Sequence, residues 1–210
     1  YSEKNGLVSN QTRAILKTPD GKIWIATSKG LSVFANGSFK NFTKADGLPS
    51  NEIKSLAYDK KNNVLWIGTH GGGLSKYNFK TFTNFTTLDG LSHDYIHSLF
   101  LDKKGNLWIG TGNGINKMVN EVFTNFPISK LCNSYISSIT EDAFGNIWFG
   151  TDRCLTKYDG IDFKSFTTKD GLSSDVIYLV HFNRRGQLWV GTNYGLDKFT
   201  FNSYGQIDEI

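Results

Sequence analysis

The sequence predicts an all-β fold built from repeated four-stranded antiparallel units, and three observations predict it. The first is composition: 14% of the 210 residues are aromatic, with 22 Gly and only 3 Pro, which is the balance of a strand-and-turn protein. The second is repetition. Trp24-Ile-Ala-Thr27 recurs as Trp66-Ile-Gly-Thr69, Trp108-Ile-Gly-Thr111, Trp148-Phe-Gly-Thr151 and Trp189-Val-Gly-Thr192, at spacings of 42, 42, 40 and 41 residues. The third is the lack of any stretch of 10–12 residues with a sustained helical stripe, so no helix is assigned.

The flanks repeat with the tryptophans. Upstream stands Asp-Gly-Leu, at Asp46–Leu48, Asp89–Leu91 and Asp170–Leu172; the first copy reads Asn5-Gly6-Leu7 and the fourth Ser129-Lys130-Leu131, without the glycine. Downstream come Gly-Leu-x-Lys-aromatic (Gly73–Tyr77, Gly195–Phe199) and Phe-x-x-Phe (Phe39/Phe42, Phe82/Phe85, Phe123/Phe126, Phe163/Phe166). Each unit therefore reads as a first strand such as Tyr95–Leu101, the tryptophan strand, a third strand after a Thr-x-x-Gly turn, and a Phe-x-x-Phe strand. In the fifth unit Tyr204 and Ile207 take the Phe-x-x-Phe places. First and second strands are joined by Asp102-Lys-Lys-Gly105, Asp142-Ala-Phe-Gly145 or Asn183-Arg-Arg-Gly186, the residue pattern of type I turns.

Four strands recurring every 40–45 residues or so are the mark of a β-propeller blade. Residues 1–210 are expected to form a single propeller domain with units at about 5–45, 46–88, 89–128, 129–169 and 170–210. The shared Trp and Phe are expected to fill the space between neighbouring blades. A closed five-blade ring, which buries every blade face, is favoured; an arc of a seven-bladed propeller is the alternative.

On these motifs the chain resembles the two-component regulator propeller repeat family, over nearly its whole length. The resemblance implies the extracytoplasmic sensor region of bacterial histidine kinases, notably Bacteroidetes hybrid systems, hence a periplasmic location and reception of glycans or their breakdown products. Relatives of that family carry more repeats, then a small β-domain, a membrane helix and the kinase. A downstream sensor domain or a second copy of the protein is therefore an expected partner.

Charge and cysteine content exclude other classes. With 23 Lys+Arg against 19 Asp+Glu the net charge is +4, and the basic turns Lys60-Lys61, Lys103-Lys104 and Arg184-Arg185 are interrupted by Pro19-Asp20 and Ala143-Phe144, so nucleic acid is not expected as a partner. No apolar run reaches the 18 or so residues of a membrane helix, so no membrane insertion by this chain is expected. Cys132 and Cys154 flank strands one and three, normally about 9–10 Å apart, so free thiols are favoured and a disulfide is the alternative.

Binding is expected where copies differ. The turns between second and third strands and the loops leading into the first strands share one face, and there Lys29, His70, His93, Asn113, Asn133, Arg153 and Tyr194 are the candidate residues for a polar, glycan-type ligand or a partner. The short polar column Asn10, Asn51, Asp94, Ser134 and Asp175 is expected to bond nearby backbone instead. His70, His93 and Asp94 are metal-ligand types, but loop proximity does not supply convergent geometry, and no metal or other cofactor is predicted. No paired general acid and base, nucleophile elbow or phosphate loop is present, so the chain is expected to be non-catalytic. A metal-dependent lyase of the streptogramin-lyase propeller type and a protein-interaction ring are the alternatives.

Overall fold

Every strand follows from the cassette. The computed structural model describes residues 1–133 and 135–209, and it forms five four-stranded sheets in which strands follow one another in chain order. The first comprises β1 (Thr12–Lys17), β2 (Ile23–Thr27), β3 (Gly30–Ala35) and β4 (Ser38–Phe42), and the second β5 (Ile53–Asp59), β6 (Val64–Thr69), β7 (Leu74–Tyr77) and β8 (Phe82–Phe85). The third is β9 (Ile96–Leu101), β10 (Leu107–Thr111), β11 (Gly114–Val119) and β12 (Val122–Phe126). The fourth is β13 (Ile136–Glu141), β14 (Ile147–Thr151), β15 (Leu155–Tyr158) and β16 (Phe163–Phe166), and the fifth β17 (Ile177–Phe182), β18 (Leu188–Thr192), β19 (Leu196–Phe201) and β20 (Ile207–Glu209). The all-β, blade-like expectation is met. One difference is Tyr204, which lies in a turn rather than in the last strand. Asn202 accepts from Gly205 N–H there, the same Asn-x-x-Gly pattern that turns the chain at Asn183, and Tyr204 is left 86% exposed.

The chain divides into two compact units, Tyr1–Leu101 and Asp102–Ile210. In the first, Trp24, Leu31, Phe42, Leu48, Ile53, Leu65, Ile67 and Tyr77 form the core. In the second, Trp148, Leu155, Phe166, Leu172, Ile177, Val180, Leu188 and Phe199 do so. Trp24 stacks on Phe42 of its own sheet at 6.0 Å and meets Tyr77 of the next at 5.9 Å. Trp148 repeats the pattern with Phe166 at 5.6 Å and Phe199 at 6.0 Å. The aromatic signature thus cements sheet to sheet, as expected, and the cross-strand lysine covers the indole: Lys76 of Gly-Leu-x-Lys lies with Nζ 5.9 Å from the Trp66 ring, and at the same place Lys117 Nζ lies 5.3 Å from Trp108 and Lys157 Nζ 5.8 Å from Trp148.

A single 3-10 turn precedes each first strand, and before β5, β9 and β17 it ends in Asp-Gly-Leu. At Lys44–Asp46 the Asp46 carboxylate accepts from Thr43 N–H at 2.8 Å, Gly47 takes φ 109° in the left-handed region, and Leu48 is buried. The polar column that follows ties this turn to the lead-in loop: Asn10, Asn51, Asp94 and Asp175 accept from the N–H of Glu3, Lys44, Thr87 and Thr168 at 2.6–2.8 Å. Ser134, the remaining member, lies outside the described residues.

The cysteines correct the sequence expectation: Cys132 and Cys154 form a disulfide, with Cα atoms 5.9 Å apart. Strand spacing was the wrong ruler, because Cys132 sits in the loop before β13 and Cys154 replaces the turn glycine. The same two places already touch in the first copy, where a Cβ on Gly30 would lie 3.5 Å from Val8.

Candidate functional site

Two residues set the shape of each turn between second and third strands. Thr27 Oγ1 donates to Gly30 O at 2.7 Å and accepts from Lys29 N–H at 3.2 Å. Thr111, Thr151 and Thr192 do the same, accepting from the N–H of Asn113, Arg153 and Tyr194 at 3.0–3.2 Å. Backbone and threonine hold the turn, so the residue before the last is not selected for turn geometry. Lys29, Asn113 and Arg153 are exposed, and Tyr194 is 81% exposed.

The first unit contains Lys29, His70 and His93. Lys29 Nζ lies 3.7 Å from the Glu3 carboxylate. The turn at His70 carries one residue more than the others, His70-Gly71-Gly72-Gly73, and this lets Gly71 and Gly73 donate to Asp94 O at 3.1 and 2.9 Å. His70 thereby bridges to Tyr95, and its ring stacks on the Tyr95 ring at 4.1 Å and 16°. His93 takes the place of Ser9, Ser50 and Ser174, whose hydroxyls accept the backbone N–H two residues on; in its copy Nδ1 accepts from Tyr95 N–H at 2.9 Å. That bond puts the neutral ring's proton on Nε2. His93 also meets the Tyr95 ring edge-on at 4.8 Å.

Sequence reasoning missed the groups beneath this rim. Glu52 Oε2 lies 3.4 Å from His70 Nδ1, and its other oxygen 2.6 Å from Lys54 Nζ. Lys54 holds the Glu52 carboxyl below its usual range, helped by His70 and Arg13. His97 is pushed down to about 4, first by burial and then by the charges of His70, Lys54 and His93. Arg13, Lys54 and His97 fall one residue into successive first strands, and in β1 and β5 that is the extra residue of a bulge. Aligning Ile53 with Ile96 would have exposed this basic column.

In the second unit the candidates stay apart from such a cluster. Asn133 Nδ2 donates to Asp152 Oδ1, and Arg153 and Tyr194 stand on separate turns. Among the described residues no three His, Cys, Asp or Glu side chains converge as metal ligands, and no helix is long and apolar enough to cross a membrane.

Comparison with known proteins agrees with the cassette. Residues 6–29, 47–71, 90–113 and 130–153 match the two-component regulator propeller family. The extracellular domain of a hybrid two-component system from B. thetaiotaomicron is 26% identical at a TM-score of 0.81, covering 90% of this chain and 27% of that one. A segment of 45 residues is 51% identical to Histidine kinase P4 of Formosa agariphila, covering 20% of this chain and 3% of the kinase. Virginiamycin B lyase from Staphylococcus aureus shares the fold at a TM-score of 0.75 and 16% identity, over 95% of this chain and 69% of its own. The chain thus spans about a quarter of the sensor domain and a small fraction of the kinase.

Proposed function

Because four of its cassettes belong to the two-component regulator propeller family, we propose that this chain is a non-catalytic, ligand-receiving part of a membrane-bound two-component sensor. A polar, glycan-type ligand or a partner engages the turn and lead-in-loop residues, which are Lys29, His70 and His93 in the first unit and Asn113, Asn133, Arg153 and Tyr194 in the second. Binding shifts the population of an interdomain or dimeric arrangement, which downstream elements relay. The observation that carries this reading is the contrast within four of the five turns: threonine and backbone hold them alike, while the residue between is Lys, Asn, Arg or Tyr. A periplasmic location accords with the disulfide, which persists in oxidising compartments, and with the extracellular setting of the B. thetaiotaomicron relative.

The test is a thermal-shift screen of the chain against neutral and charged oligosaccharides. A ligand present at about 100 times its Kd stabilises by about 2.7 kcal/mol and raises Tm by several degrees. Combined Lys29→Ala, His70→Ala, Arg153→Ala and Tyr194→Ala substitution is expected to abolish the shift. A shift that persists in the quadruple variant rejects these turns as the ligand site.

A further inference from the structure

We propose that the first unit binds its ligand through an oxyanion, a carboxylate or a sulfate, which takes over the basic side chains now gathered on Glu52. This inference rests on the ligand-receiving role proposed for the same rim and gives that ligand a chemical class.

Successive first strands lie side by side, β1 against β5 and β5 against β9. Their aligned residues Arg13, Lys54 and His97 therefore form one column, of which Arg13 and Lys54 carry the positive charge; the corresponding residues of the second unit are Ser137 and Tyr178. The bulges in β1 and β5 matter physically, because the extra residue of a bulge is released from the alternation that commits its neighbours to packing between sheets. His70 and His93 join the column from the turn and lead-in loop above it. The charges that act on His97 are all basic: His70, Lys54 and His93. Glu52 answers them, from a position that is Gln11, Tyr95, Tyr135 or Val176 in the other copies.

Glu52 is itself a carboxylate docked on this cluster. It touches Lys54 at 2.6 Å and His70 at 3.4 Å while its side chain remains 37% exposed. A ligand oxyanion of the same geometry can replace it, since a solvent-facing ion pair exchanges partners at little cost. Asp94 is turned to its own lead-in turn, where Oδ1 accepts from Thr87 N–H. Beside the cluster Tyr95, 42% exposed and backed by the His70 ring, presents an aromatic face to the body of the ligand.

Isothermal titration calorimetry on the full chain at fixed ionic strength tests this, with sodium glucuronate, sodium sulfate and glucose as separate probes. Glucuronate and sulfate are expected to bind and to compete with each other, and glucose to give no heat. Lys54→Gln and Arg13→Gln should each weaken the anions about ten-fold, the scale of one charge-assisted contact. Glu52→Gln should tighten them about three-fold or more, a gain that misfolding does not produce. Lys60→Gln, at the far end of β5, should change nothing. Glucose binding as tightly as glucuronate overturns the oxyanion assignment and leaves the ligand-receiving face standing. Anion binding insensitive to Lys54→Gln and Arg13→Gln, or no anion binding at all, overturns the site.

Discussion

Trp24, Trp108 and Trp148 hold the same place in three copies, yet their indole N–H groups fare differently. Trp108 donates to Asp102 Oδ2 and Trp148 to Asp142 Oδ2, each at 2.9 Å. Those carboxylates also accept from Asn106 and Asn146 and from the turn backbone, so one aspartate closes the turn and satisfies the core. In the first copy the residue is Thr18, which donates to Asp20 Oδ1 at 2.6 Å, and Trp24 Nε1 is buried without a partner. An orphaned buried donor costs about 1–3 kcal/mol. Thr18→Asp is accordingly expected to raise stability by about 1 kcal/mol in urea titration, and Asp142→Ala to lower it by about 3 kcal/mol. If Thr18→Asp is neutral or destabilising, the indole is not the group that limits this turn. The Asp-x-x-Gly signature was legible as a turn. Its second duty was not, because the indole arrives from six residues further along the chain.

Lead-in turns show how one element keeps its shape when its signature is lost. Three copies use Thr, Asp and Gly to cap the 3-10 turn, with Leu48, Leu91 and Leu172 buried beneath. The fourth has Pro127 at the N-cap with no side-chain cap, and Leu131 where the others have a left-handed glycine. There the Cys132–Cys154 bond fastens the loop to the next turn, replacing hydroxyl contacts such as Ser173 Oγ with Thr192 Oγ1 at 2.9 Å. Closing a loop of 22 residues contributes about 3 kcal/mol in the chain-entropy view. Cys132→Ser/Cys154→Ser is thus expected to lower the stability of the oxidised protein by about that amount, and dithiothreitol to lower the Tm of the native chain but not of the variant. Equal Tm values for the two oxidised proteins would remove this role. Only alignment of the copies, not strand spacing, carried the signal for the pair.

At the scale of the molecule, the cassette's stability is a sum of terms between neighbours. Trp148 is fully buried against Phe166, Phe199 and Phe201, whereas Trp189 in the last sheet is only partly buried. In the first unit Ile15 is 70% exposed, while its counterparts Ile139 and Val180 in the second are buried. Trp148→Ala should therefore cost about 3–5 kcal/mol, and Trp189→Ala and Ile15→Ala markedly less. Calorimetric Tm values that fall equally for Trp148→Ala and Trp189→Ala would contradict nearest-neighbour additivity.

The sequence by itself determined the cassette: five copies, four strands each, aromatics between sheets and variable residues at the turn tips. Those features are local or periodic, and period is read directly from spacing. Tertiary structure decided the disulfide, the unpaired Trp24 and the docking of Lys54 and His70 on Glu52, because each depends on which side chains of different turns, loops and strands are brought within a few ångströms. Aligning the copies puts Arg13, Lys54 and His97 at one cassette position, but only the side-by-side packing of β1, β5 and β9 makes that position a column.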